Sequence, residues 1–199
     1  MRQRLDGVAV LDPDEISCAQ ELQRQARFCV IVGEEIDTLQ GGIAGLFLRE
    51  RVPPKLSATD TIDRIHDQGG LVMIPHPLAR GTPGKIQARA LEQILDRVDI
   101  IEGYNARTPL AQDDRAARHL ARQHGLPVSA GSDAHFGFEV GRAWVEMSAF
   151  RSPAEFLSGL HHARLRWIRK TPYWVSGLTV ISIPALTLWR RYSGRRGSD

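Results

Sequence analysis

Three short apolar runs in this chain each end in a side chain that can bind a proton or a metal. Phe28–Val32 leads into Gly33-Glu34-Glu35, Leu71–Ile74 into Pro75-His76-Pro77, and Val128–Ala130 into Gly131-Ser132-Asp133-Ala134-His135. Runs of this length, bounded by glycine and proline, read as strands. Val8–Leu11, Ile43–Leu48, Asp99–Glu102 and Ala143–Met147 read the same way, with Phe28–Val32 and Ile43–Leu48 forming a hairpin about Gly41-Gly42. Helical patterns fill the gaps: 14–27 with Asp14 as N-cap, 57–68 stopped by Gly69-Gly70, 84–97, 109–124 with Pro109 in its first turn, and 152–161. Repeated strand–helix units predict an α/β domain on a parallel sheet or barrel.

In such folds the reactive side chains gather beyond the C-terminal ends of the strands. An Asp-x-His pair on extended chain presents both side chains to one face, because the period of a strand is two. Each residue also has an ordinary reading: Glu35 as a solvated loop acid, His76 as a turn residue between prolines, Asp133 as a cap with His135 its hydrogen-bond partner. Their shared position at strand ends favours a site over three coincidences. Carboxylates with imidazoles make a borderline-hard donor set suited to Zn, Mn or Fe.

Charge divides the chain. From His161 to Asp199 eight basic residues stand against one acid, giving +7, whereas residues 1–160 hold 18 basic and 22 acidic residues, giving −4. A basic groove for nucleic acid along the body gains no support from this, although nucleic acid stays among the possible partners. The basic segment suits a phosphate surface. Cys18 and Cys29 make neither a disulfide framework nor a zinc knuckle, and the N-terminal segment lacks the pattern of a signal peptide; a cytoplasmic protein is expected.

The stretches GEEIDTLQGGIAGLFL, IPHPL, IEGYNAR and GLPVSAGSDAHFGFEVGRAWVEM, in this order, resemble the PHP family of polymerase and histidinol-phosphatase type phosphoesterases, and RLDGVAVLDPDE resembles its early segment. The likeness runs from about Arg4 to about Leu165. It implies a distorted (β/α)7 barrel, two or three divalent metals (Mn, Zn, Mg or Fe), and hydrolysis of a phosphorylated small molecule or nucleotide. Carried over by position, Glu35, His76, Asp133 and His135 become metal ligands, with Glu35, Asp133 and His135 catalytic. Asn105 falls where the family offers a ligand or metal-adjacent group. Arg80 and Arg142 are candidate phosphate contacts.

The resemblance breaks near the N-terminus. No histidine precedes His66, so the family's first H-x-H strand is not matched. Pro13 stands where the family has the histidine of T-D-H-D-T, and Gly42 where it has the histidine of G-H. Fewer ions are therefore expected, with Asp12 or Asp14 as auxiliary donors. Either a first strand is missing or the protein is a degenerate relative that binds a ligand or partner without hydrolysis. The expected domains are 1–165 and a basic tail, 166–199. In the tail, 174–189 is apolar with aromatic residues at both ends, so a helix from about Arg164 to Arg196 packs on the barrel or lies on an anionic membrane surface. A full span is disfavoured by its length and Pro184. The oligomeric state is not legible.

Overall fold

The computed structural model describes residues 5–82, 84–167, 170–172 and 175. In chain order the strands are β1 (Gly7–Pro13), β2 (Cys29–Thr38), β3 (Gly41–Leu46), β4 (Leu71–Ile74), β5 (Ile100–Asn105), β6 (Val128–Gly131), β7 (Ala143–Glu146) and β8 (Arg164–Trp167). The helices are α1 (Ser17–Gln25), α2 (Ala58–Asp67), α3 (Ala88–Ile94), α4 (Ala111–Gln123) and α5 (Pro153–Leu160).

Strands β1 to β6 form one mixed sheet in sequence order, and β7–β8 a separate antiparallel hairpin. β1 runs parallel to β2, and β4, β5 and β6 are mutually parallel; only β3, paired antiparallel with β2 and β4, is reversed. Five strand C-termini therefore lie along one rim. Among the described residues the sheet ends at β1 and β6 and does not close into a (β/α)7 barrel.

Alternation along the strands divides the core. One face carries Val32, Ile36, Ile43, Val72, Ile74 and Ile101 against helices α1 to α4, through Ala19, Ile62, Ile65, Ala90, Leu91 and Ala117. The other carries Ile31, Ala44, Leu46, Leu71, Met73 and Ile100, and is covered by Phe156 and Leu160 of α5 with Val145 of β7. Helix α5 and the β7–β8 hairpin thus cover one inner face of a curled half-barrel and leave the strand-end rim to polar side chains. Phe47, Phe150 and Phe156 pack edge to face beneath it, at centroid distances of 4.9 to 6.1 Å.

Most expected elements are present with shifted ends. Ser57 caps α2 by accepting from the Asp60 N–H at 3.1 Å, and Ser152 caps α5 in the same way through Glu155. At Gly70, just after α2, a β-carbon would stand 2.8 Å from the Leu46 carbonyl, so only glycine lets the chain pass.

Three expectations are corrected. Asp14 caps no helix: its backbone is left-handed (φ 52°), its Oδ1 accepts from the Asp37 N–H at 2.9 Å, and Glu15 instead receives the N–H groups of Ile16 and Ser17. The expected helix over 84–97 is shortened to α3 and a single 3-10 turn at Leu95–Arg97, because Gly84 turns at φ 75° and the Gln87 N–H bonds the Gln40 carbonyl. The basic helix expected from about Arg164 opens as a strand: Leu165 is half-buried between exposed Arg164 and Arg166, Arg166 pairs with Glu146 at 2.9 Å, and Trp167 stacks on Tyr104 at 5.1 Å. Of the rest of that expected helix, 168–169, 173–174 and 176–196 lie outside the described residues. No helix among the described residues is long and apolar enough to cross a membrane.

Candidate metal centre at the strand rim

The common direction of five strands delivers the polar group. Glu35 lies near the end of β2, His76 two residues beyond β4, Glu102 and Asn105 on the last turn of the pleat of β5, and Asp133 two residues beyond β6. Glu35 shares the parity of Ile31, and Glu102 that of Ile100, so both carboxylates point to the inner face; Glu34, one residue earlier, turns toward the helices and is fully buried.

The contacts tie these residues into one group. The Glu35 Oε1 lies 3.8 Å from His76 Nε2. Glu102 Oε2 accepts from the His76 N–H at 2.8 Å and from Asn105 Nδ2 at 3.0 Å. The same Asn105 amide reaches Asp133 Oδ2 at 3.3 Å. His135 Nδ1 lies 3.0 Å from the Asp133 carbonyl and 3.6 Å from its Oδ1.

Two members of the group carry backbone strain. His76 (φ 30°) and Asp133 (φ 48°) both occupy the left-handed region that branched and bulky residues avoid. Each such conformation costs on the order of 1–3 kcal/mol and persists only where surrounding bonds fix it. At His76 the Glu102 carboxylate supplies that bond. Gly131 makes room: a β-carbon there would lie 2.4 Å from Glu102 Oε1.

Electrostatics follow burial. Loss of solvent raises Glu35 above the usual carboxylate range; His76 pulls it back and Asp133 pushes it further up. Glu102 is raised to about 7, first by complete burial, with His76 and the Asn105 hydrogen bond opposing and Asp133 adding to the rise. Two desolvated carboxylates beside a third are a costly arrangement without a cation.

Fit to a metal can be judged from the donors themselves. No three His, Cys, Asp or Glu side chains among the described residues stand at ligand spacing for an ion. The chemistry nevertheless suits one: His76 Nδ1 is buried without a hydrogen-bond partner, and Glu35 feels the nearby His76, Asp133 and His135. Carboxylates with imidazoles are the donor types that a borderline-hard divalent ion takes.

The sequence-predicted residues separate into two groups. Glu35, His76, Asn105, Asp133 and His135 are brought together. Arg80 is held by Asp113, its backbone N–H to Oδ2 and its guanidinium to Oδ1, all at 2.9 Å. Arg142 donates through Nη1 to the Lys170 carbonyl at 3.2 Å. Among the described residues no hydrogen bond or ion pair joins either arginine to the carboxylate–imidazole group. Of the auxiliary donors, Asp14 is engaged by the Asp37 N–H.

Glu102 is the residue that sequence reasoning missed. Its signal was present: in IIEGYN it is the only charge in a strand whose six residues are all buried. A carboxylate at such a position needs a partner or a function.

Comparison with known proteins agrees with this architecture. A PHP-associated family model matches residues 112–165. An uncharacterised protein of Methanocaldococcus jannaschii is 34% identical over 138 residues, which are 64% of this chain and 58% of that protein. The chain thus spans less than two thirds of that relative's length. Among solved structures, a two-domain Bacteroides vulgatus protein containing a predicted PHP-like metal-dependent phosphoesterase superposes with a TM-score of 0.63 at 19% identity, over 83% of this chain and 57% of that one. PsfC from Pseudomonas syringae superposes with a TM-score of 0.64 at 18% identity, over 92% and 85%. At these identities the structural likeness is one of fold.

Proposed function

We propose that the chain is a divalent-metal-dependent phosphoester hydrolase of the PHP family with a reduced metal site. The observation that carries this reading is the grouping of Glu35, His76, Asp133 and His135, with Glu102 and Asn105, at the strand C-terminal rim. Glu35, His76, Asp133 and His135 would hold the ion. Bound there, a divalent cation supplies Lewis acidity toward a phosphoryl oxygen and toward water.

The chain's own groups prepare that chemistry. Glu102 fixes the His76 backbone from below, and Asn105 orients Asp133. Glu35, partly exposed and raised by burial, can accept a proton from water entering the rim. A phosphorylated small molecule or a nucleotide is the substrate class. Arg80 and Arg142 are proposed phosphate contacts that must first leave their present protein partners.

A second reading rests on Pro13 and Gly42. Pro13 is paired with Glu35 across β1 and β2, and a β-carbon on Gly42 would lie 3.1 Å from Glu35 Oε1. Both positions where family resemblance places a histidine therefore flank Glu35, and neither carries a ligand atom. If that loss abolishes hydrolysis, the domain is a PHP-fold ligand-binding module.

Turnover of an aryl phosphate and a nucleoside monophosphate with added Mn or Zn separates the two. The hydrolase reading expects turnover that Asp133→Ala abolishes. Turnover retained in Asp133→Ala, or absent with every metal, favours the binding module.

A further inference from the structure

Beyond the rim, Arg107 and Glu139 form a buried ion pair between two loops that are far apart in sequence. Arg107 follows β5 and Glu139 follows β6. Arg107 Nη1 donates to both Glu139 oxygens, at 2.8 and 3.1 Å, with side chains 9% and 0% exposed. Glu139 Oε2 also accepts the backbone N–H groups of His135 and Phe136, each at 3.0 Å. On the other side, the N–H groups of Arg107 and Thr108 donate to Asn105 Oδ1, at 2.8 and 3.1 Å. That bond leaves Asn105 Nδ2 directed to Glu102 and Asp133.

We propose that Arg107 and Glu139 are positioning residues for the metal centre, fixing the backbone of His135 and, through the loop after β5, the amide of Asn105. This rests on the metal-centre reading above. The physical case is cost and geometry. Burying a carboxylate and a guanidinium brings a desolvation penalty of several kcal/mol per ion, offset only when further hydrogen bonds complete the pair. Here the completing donors are the N–H of His135 and its neighbour, rather than side chains of the core. The loop between them is otherwise weakly held: Ala134, Phe138 and Val140 are exposed, and Gly137–Glu139 forms only one 3-10 turn. Without Glu139 the two N–H groups have no acceptor and His135 is free to leave the face it shares with Asp133. The stacked Phe136 and Phe138 rings, 5.5 Å apart, ride on the same turn.

Groups that orient metal ligands from behind typically alter metal affinity by about 10–100-fold when removed. The test uses the full chain with Mn2+ as probe. Amide hydrogen exchange of His135 and Phe136, measured without metal, reads the anchor itself; Mn2+ affinity by electron paramagnetic resonance reads its consequence. In Glu139→Gln, exchange at both amides is expected to quicken about tenfold and Mn2+ affinity to fall about tenfold. Adding His135→Ala to Glu139→Gln should cost no more affinity than His135→Ala alone. Arg107→Gln, should Glu139→Gln fail to fold, carries the same expectations.

Unchanged exchange at His135 and Phe136 overturns the proposal whatever the metal does. Quickened exchange with unchanged Mn2+ affinity, or additive losses in the double variant, makes the pair merely structural and also overturns it. Absence of Mn2+ binding in the wild type defeats the metal-centre reading, and the proposal with it. The exchange data still report whether the anchor exists.

Discussion

The two halves of the strand rim carry the same backbone plan with different chemistry. On the β4–β6 side, His76, Glu102, Asn105, Asp133 and His135 form a continuous network, two of whose members are held in left-handed backbone. On the β1–β3 side, among the described residues, only Glu35 offers a side-chain donor toward the group; its strand partners are Pro13 and Ala44, and Gly42 lies against its carboxylate. The β1–β3 side is nevertheless well built: β1 pairs with β2 over seven residues, and Asp14 is locked by the Glu35 carbonyl and the Asp37 N–H. Ligand atoms and backbone architecture are therefore separable. A proline fits a strand end at the sheet edge and a glycine fits a hairpin, so losing imidazoles there costs the fold nothing.

Asp133→Ala cuts deepest into the networked side. It removes a proposed ligand and the partner of Asn105 at once, and activity should fall at least ~10³-fold, with Mn2+ affinity lost in parallel. Steady-state kinetics with an aryl phosphate checks this. A milder loss would mean that the β1–β3 side carries more of the site than its donors suggest.

Glu102 gives a pH signature confined to the same side. Its folded pKa of about 7 stands above the ordinary value of 4.5. Between those two values the folded state keeps a proton that the unfolded state has released. The metal-free protein should therefore lose stability as pH rises through this window, at about 1.4 kcal/mol per pH unit, on the order of 3 kcal/mol in all. Urea unfolding at pH 5 and pH 8 measures it. Glu102→Gln should flatten the dependence.

Gly42→His probes the other side. A new β-carbon would lie 3.1 Å from the flexible end of Glu35 and 3.3 Å from the Gly84 carbonyl, so the substitution needs a slight shift of the turn. An imidazole there should raise Mn2+ affinity about tenfold, equivalent to about 1.4 kcal/mol. Titration calorimetry decides; no gain would show that Glu35 is not part of the ion's surroundings.

Ser57→Ala, distant from both sides, supplies the smallest effect. It removes the cap of α2 and should lower stability by about 1 kcal/mol while leaving metal affinity untouched. Thermal unfolding with and without Mn2+ tests the separation.

Much of the fold was legible because its signals are local. Leu71–Ile74 is bounded by glycine and proline, and Ser57 and Ser152 start helices by direct side-chain bonds. Strand-end positions singled out Glu35, His76, Asp133 and His135, and the family resemblance added Asn105. Glu102 was passed over although it is the only charge in IIEGYN, because its role depends on the His76 N–H beyond β4 and on Asn105 at the end of β5. Arg107 and Glu139 escaped for the same reason: their pairing joins two loops 32 residues apart. Arg80 and Arg142 show the converse. A basic residue close in sequence to the site is held in place by Asp113 or by the Lys170 carbonyl. Strand β8 was hidden because its alternation, Arg-Leu-Arg-Trp, lies inside a strongly basic segment.

On the proposed reading the β4–β6 side, with Glu35, holds one divalent ion and the β1–β3 side adds no second. A crystal of the full chain grown with Mn2+, with anomalous scattering collected at the Mn edge, tests this directly. One strong peak touching Glu35, His76, Asp133 and His135 is the expected result. Two or more peaks bridged at Glu35, or a single peak away from these four residues, would contradict it.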